Sequence, residues 1–97
     1  MTRKDVLAAA EKCVCGDREQ DYGRVEDNFK TIARFWEIYL ENKCLGAPAD
    51  IEILPEDVAA MMALLKIARI TSGNIHPDNW IDGCGYLACG GELEVAE

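Results

Sequence analysis

Histidine is almost missing from this chain: His76 is the only one among 97 residues. No Ser/His/Asp set and no H-E-x-x-H zinc motif can be assembled. Gly-rich phosphate loops and the G-x-S-x-G elbow are also missing. Basic residues are scarce, with 10 Lys and Arg against 18 Asp and Glu and a net charge of −8. A field of that sign repels polynucleotides and anionic bilayers, so neither a nucleic-acid polymer nor a membrane is an expected partner. A small phosphorylated ligand, held by local bases or through a metal ion, stays open. No apolar run approaches the roughly 20 residues of a membrane span. The five cysteines include no C-x-x-C, since Cys13 and Cys15 are one residue apart. Their odd number, without a signal peptide, points to a reducing, cytoplasmic setting with free, partly buried thiols.

What remains is half apolar, at 49%, which is the composition of a folded chain. The length suits one domain over residues 1–97. A chain this size buries only about 60% of its unfolded surface. Its core is thin, and a homo-oligomer, dimer or tetramer, is expected to thicken it.

Periodicity predicts an all-α, four-helix bundle-like domain. The first helix runs from Thr2 to Cys15, opened by the Thr2/Asp5 capping box and stopped by Gly16. Charged residues 17–21 and Tyr22-Gly23 form a loop presenting an aromatic ring. The second helix covers Val25 to Lys43, with Val25, Phe29, Ile32, Trp36 and Leu40 on one stripe. Asn28 sits at the stripe's edge, half-buried. A loop from Gly46 to Leu54 leads to a third helix, with Pro55 in its first turn and an end at Thr71-Ser72 before Gly73. That helix is apolar nearly all round and is expected to be buried on most sides, in the core or in an oligomer interface. The fourth opens at Pro77 and packs through Trp80, Ile81, Cys84, Leu87 and Ala88. Its glycines suggest close approach by a helix or ligand. The acidic tail after Gly91 is expected to fray.

Three groups could carry chemistry. Asp78, Asp82 and Tyr86 recur every fourth residue and so share a helix face. Two carboxylates a turn apart suit a hard cation such as Mg²⁺, although a first-turn dipole residue and a surface acid would show the same spacing. Lys66 stands in an apolar run, L-L-K-I-A-R-I, where a lysine needs a carboxylate or phosphate partner. With Arg69 it could hold phosphate; equally it could form a structural ion pair with Asp57, Asp78 or Asp82. Tyr22, Trp36 and Trp80 could stack on a base, and Tyr22 is the best placed because it lies in a loop.

Taken together, Tyr22-Gly23 with Glu26-Asp27-Asn28-Phe29, Asp57-Val58 leading to Leu64-Leu65-Lys66-Ile67-Ala68-Arg69, and Asp78-Asn79-Trp80-Ile81-Asp82 leading to Gly85-Tyr86 resemble a family of small phage and prophage proteins. That family is similar, more distantly, to the MazG-like, nucleotide-modification-associated group of all-α nucleoside triphosphate pyrophosphohydrolases. The resemblance spans about residues 1–92. It implies Mg²⁺-dependent cleavage of (d)NTPs to monophosphate and pyrophosphate. Asp78 and Asp82 then match the metal-binding and catalytic acids. Lys66 and Arg69 match phosphate positions, and Tyr22, Asn28 and Tyr86 match nucleotide contacts. The E-x-x-E pair of MazG-type enzymes has no counterpart in the third helix, which leaves Glu26 and Asp27 to complete the metal set. Two alternatives follow: a non-catalytic module that sequesters a nucleotide, or a structural oligomerisation module.

Overall fold

The computed structural model describes residues 1–17, 20, 23–43, 51–71, 73 and 75–96, without the side chains at 17, 39, 43 and 96. Tyr22, Cys44 and the loop residues 46–50 therefore lie outside the described residues. Among those described, the chain is all-helical: α1 (Arg3–Lys12), a π-helical turn (Cys13–Asp17), α2 (Val25–Lys43), α3 (Pro55–Ile70) and α4 (Pro77–Ala96).

Local signals set most boundaries. At the start of α1 the Thr2 amide donates to Asp5 Oδ2 at 2.9 Å, and the Asp5 amide donates back to Thr2 Oγ1 at 3.2 Å. This is the reciprocal capping box expected from the sequence. α3 opens similarly, with the Leu54 amide donating to Asp57 Oδ2 at 2.9 Å. Leucine has no oxygen to return the bond, so this cap is half of a box. α3 ends with Thr71 as its C-cap, and Gly73 follows at φ +91°, a left-handed conformation that glycine adopts without strain.

Four expectations are corrected. α1 does not run to Cys15 and stop at Gly16. Its α-helical hydrogen bonds end at Lys12, and a wider turn continues through Gly16 to Asp17. Within that turn Val14 joins the core and lies against Gly85 of α4. The tail after Gly91 stays helical to Ala96, because Leu93 packs against the core and holds it down. α3 is not buried on most sides. Val58, Ala59 and Ala63 are buried, while Met61, Leu64, Leu65 and Ile67 face solvent. Trp80, Leu87 and Ala88 do not pack inward either; on α4 the buried side chains are Asn79, Ile81 and Cys89. A helix shows its neighbours only one face, whatever the composition of the rest.

The core gathers Phe29 and Ala33 of α2, Ile53, Val58 and Ala59 at the start of α3, and Cys89 of α4. Val25, Ile32, Trp36 and Leu40 of the predicted α2 stripe pack around it. α3 against α4 is the most extensive pairing, with α1 set on α4 and α2 on α3. The α3–α4 approach depends on Gly90. A Cβ there would sit 2.9 Å from Ala59 Cβ, whereas Gly91 faces open space. Outside the helices, the Ile53 amide donates to Glu37 Oε2 at 2.8 Å, tying the entry of α3 to the middle of α2.

Two outcomes follow. Gly90→Ala adds a methyl 2.9 Å from the Ala59 Cβ, which has no rotamer to move away by, and should lower unfolding stability by about 1–3 kcal/mol in denaturant titrations. Gly91→Ala should raise it by about 0.5–1 kcal/mol through helix propensity alone. The Thr2 amide, and then its hydroxyl, hold the Asp5 carboxyl below the usual carboxylate range. A depressed folded-state pKa gives stabilisation that is present above the unfolded value and lost as pH falls through the folded one. The protection factors of the Asp5 and Val6 amides, taken against the intrinsic exchange rate at each pH, should therefore fall on acidification through and below the ordinary carboxylate range and stay unchanged above neutrality.

Candidate functional site at the α3–α4 seam

Lys66 leaves α3 on its inward side. Its stem lies over Gly83, where a Cβ would come 4.0 Å from Lys66 Cβ. A glycine opposite lets the aliphatic stem run along α4 and carry the ammonium to an acid. That acid is Asp82, with Nζ to Oδ2 at 2.9 Å. The lysine side chain is only 12% exposed and the aspartate 36%. Of the ion pairs found among the described residues, the other three lie within or beside α2, with Arg24, Lys30 and Arg34 more than half exposed. The Lys66–Asp82 pair joins two helices and has a half-buried cation.

The helical run from Pro77 keeps Asp78, Asp82 and Tyr86 on one side of α4. Asp78 is exposed in the first turn. Tyr86 is half-buried against Phe29 of α2, with ring centroids 6.3 Å apart and planes tilted by 33°. Asn28, next to Phe29, is half-buried as its stripe-edge position predicts. Lys66, Asp82 and Tyr86 thus form a continuous line across the seam, with the Asn28–Phe29 edge at its end. Arg69, one turn beyond Lys66, is exposed.

Glu26 and Asp27 are not part of this line. Glu26 is engaged by Arg24 and by Lys30, both at 3.2 Å, on the surface of α2. Asp27 is exposed, and its carbonyl accepts the Thr31 hydroxyl at 3.1 Å. Among the described residues no three His, Cys, Asp or Glu side chains come together as a metal site would require. The described acids of one chain therefore do not fit a three-carboxylate magnesium site. Among the described residues Cys13, Cys15, Cys84 and Cys89 form no disulfide.

Two hollows open away from the Lys66–Asp82 pair. One of about 410 Å³ lies along α2 between Lys30, Arg34, Phe35 and Ile38. The other, about 270 Å³, is bordered by Glu56, Asp57, Leu87, Gly90 and Glu94. Glu56 Oε1 is buried with no hydrogen-bond partner among the described residues. Sequence reasoning missed both Glu37, which holds the Ile53 amide, and this buried Glu56 oxygen. Their partners or surroundings lie far along the chain, so no local spacing marks them.

These features define a small all-helical protein, and no helix among the described residues is long and apolar enough to cross a membrane. The model of a domain of unknown function, DUF6378, matches residues 5–94, and the chain belongs to that family. It is similar to the Gene 55 protein of Mycobacterium phage L5, 37% identical over 92 residues, which are 95% of this chain and 54% of the relative. It is likewise similar to the Gene 55 protein of Mycobacterium phage D29, 36% identical over 86 residues, covering 89% and 51%. The chain spans about half the length of these curated relatives. The expected phage family is thereby met. No solved structure matches the chain.

Removing Asp82 strands the ammonium of Lys66. Asp82→Asn should lower stability by roughly 1–2 kcal/mol, less than the 3–5 of a fully buried pair because Asp82 is a third exposed. Lys66→Met in the same chain should recover most of the loss, since methionine fills the stem's volume without a charge. Chemical denaturation of the single and double variants reads both effects.

Proposed function

We propose that this protein binds a nucleotide through its phosphates at the α3–α4 seam. The observation that carries the reading is the interhelical Lys66–Asp82 pair with Tyr86 one turn further along the same face. A lysine that sheltered is held by a carboxylate, and a phosphate offers the same charge and the same oxygen acceptors. An incoming phosphate competes with Asp82 for Lys66 and meets Arg69 one turn on. Tyr86 and Asn28 flank the line where a sugar or base would lie, and Tyr22 is the aromatic candidate beyond the described residues.

The resemblance to MazG-like enzymes adds Mg²⁺-dependent pyrophosphohydrolysis of (d)NTPs to this reading. Asp78 and Asp82 are the acids that would serve a metal. Glu26 is engaged by Arg24 and Lys30, and no third acid among the described residues joins Asp78 and Asp82. Binding is the part that the geometry supports best.

Calorimetric titration with a panel of (d)NTPs, with and without Mg²⁺, tests it, alongside a pyrophosphate-release assay. At least one nucleotide should bind, and Lys66→Met should weaken it by roughly tenfold or more while the helical circular-dichroism spectrum is kept. Pyrophosphate release that is lost in Asp78→Asn would extend the reading to an enzyme. No binding by any member of the panel would end it.

A further inference from the structure

The outer face of α3 has no neighbour among the described residues. Val58, Ala59, Met62, Ala63 and Lys66 occupy its inner side. Opposite them, Ala60, Met61, Leu64, Ile67 and Ala68 are all exposed, Leu64 at 63%. α4 extends this surface. The Lys66–Asp82 pair and the Ala59–Gly90 contact set α3 and α4 antiparallel, with Ile67 alongside the Trp80 end and Ala60 alongside Leu87. Ala60 and Leu87 border the same hollow. Trp80 and Leu87, two helical turns apart and each more than half exposed, therefore continue the patch.

We propose that this α3–α4 face is the contact surface for a second copy of the chain, paired antiparallel about a two-fold axis at Leu64. Area and pattern both favour that occupant. Counting roughly 100 Å² for each exposed aliphatic side chain and roughly 200 Å² for tryptophan, in proportion to exposure, the patch offers on the order of 400–500 Å² of apolar surface. A standard interface takes about 800 Å² from each partner, about two-thirds of it apolar in homodimers. The patch therefore supplies nearly the apolar part of one such surface.

A two-fold contact must also complement itself, so residues equidistant from the axis face each other. About Leu64 this pairs Ala60 with Ala68 and Met61 with Ile67, while Leu64 meets its own copy. Small residues meet small ones, and large meet large. The ends of the helix are oppositely charged, with Glu56 and Asp57 in the first turn and Arg69 in the last. Antiparallel pairing opposes the two helix dipoles. No charged residue lies on the stripe between Ala60 and Ala68, so the net charge of −8 is kept off the contact itself.

Sedimentation equilibrium of the 97-residue chain should give twice the 10.7 kDa chain mass at tens of micromolar. Leu64→Lys and Leu64→Asp each place like charges together on the axis. Each should weaken association by roughly thirtyfold or more, with an unchanged circular-dichroism spectrum because the position is exposed. Mixing the two variants should restore the dimer, since opposite charges then meet. Phe35→Lys alters an equally exposed apolar residue on α2 and should leave association intact. A monomeric wild-type chain, variants at Leu64 that still dimerise, or dissociation caused by Phe35→Lys instead would overturn the proposal.

Discussion

The close approach of α3 and α4 is the constraint on which the rest of the structure depends. Two small residues, Ala59 and Gly90, let the backbones meet where a second methyl would clash. Further along the same seam, Gly83 clears a path for the stem of Lys66, and Asp82 receives its ammonium. One seam thus combines van der Waals contact at one end with an interhelical ion pair at the other. α2 is laid on it through Phe29 and Ala33, and α1 is locked on by the contact of Val14 with Gly85.

The candidate site inherits its geometry from that seam. Lys66 sits where α3 turns inward, and its charge is tolerated there because α4 brings an acid within 2.9 Å. Tyr86 is fixed by packing on Phe29, so the line from Lys66 to Tyr86 is held by three helices rather than by a loop. Sites built on helices hold their side chains more accurately than sites on loops. The same packing leaves the far side of α3 bare. A helix apolar on both faces has buried one of them at the seam and left the other exposed.

Much of this was legible in the residues. The α2 boundaries and stripe, the first-turn prolines of α3 and α4, and the Thr2/Asp5 box were readable because each depends on neighbours a turn away. So was the demand of Lys66 for an anionic partner, which follows from a charge set in an apolar run. The acid that meets it was readable only as one of three candidates. The continuation of the chain through Gly16, and of α4 past Gly91, was hidden, because in each case a distant core contact outweighs the local glycine signal. Glu26 and Asp27 looked able to join Asp78 and Asp82 while order along the chain was the only guide. In space Glu26 is held by basic neighbours on the surface of α2.

By itself the sequence determined the helical class, the four helical segments, the Thr2/Asp5 cap and the acidic balance of charge. These follow from periodicity, capping chemistry and charge, which act within a turn or sum over the whole chain. Tertiary structure decided that Asp82 takes Lys66, that Gly90 is the point of closest contact, and that Trp80 and Leu87 stay in solvent with the outer stripe of α3. Those outcomes depend on how two helices rotate against each other. That rotation is set by the summed fit of side chains distant in sequence, which no local pattern contains.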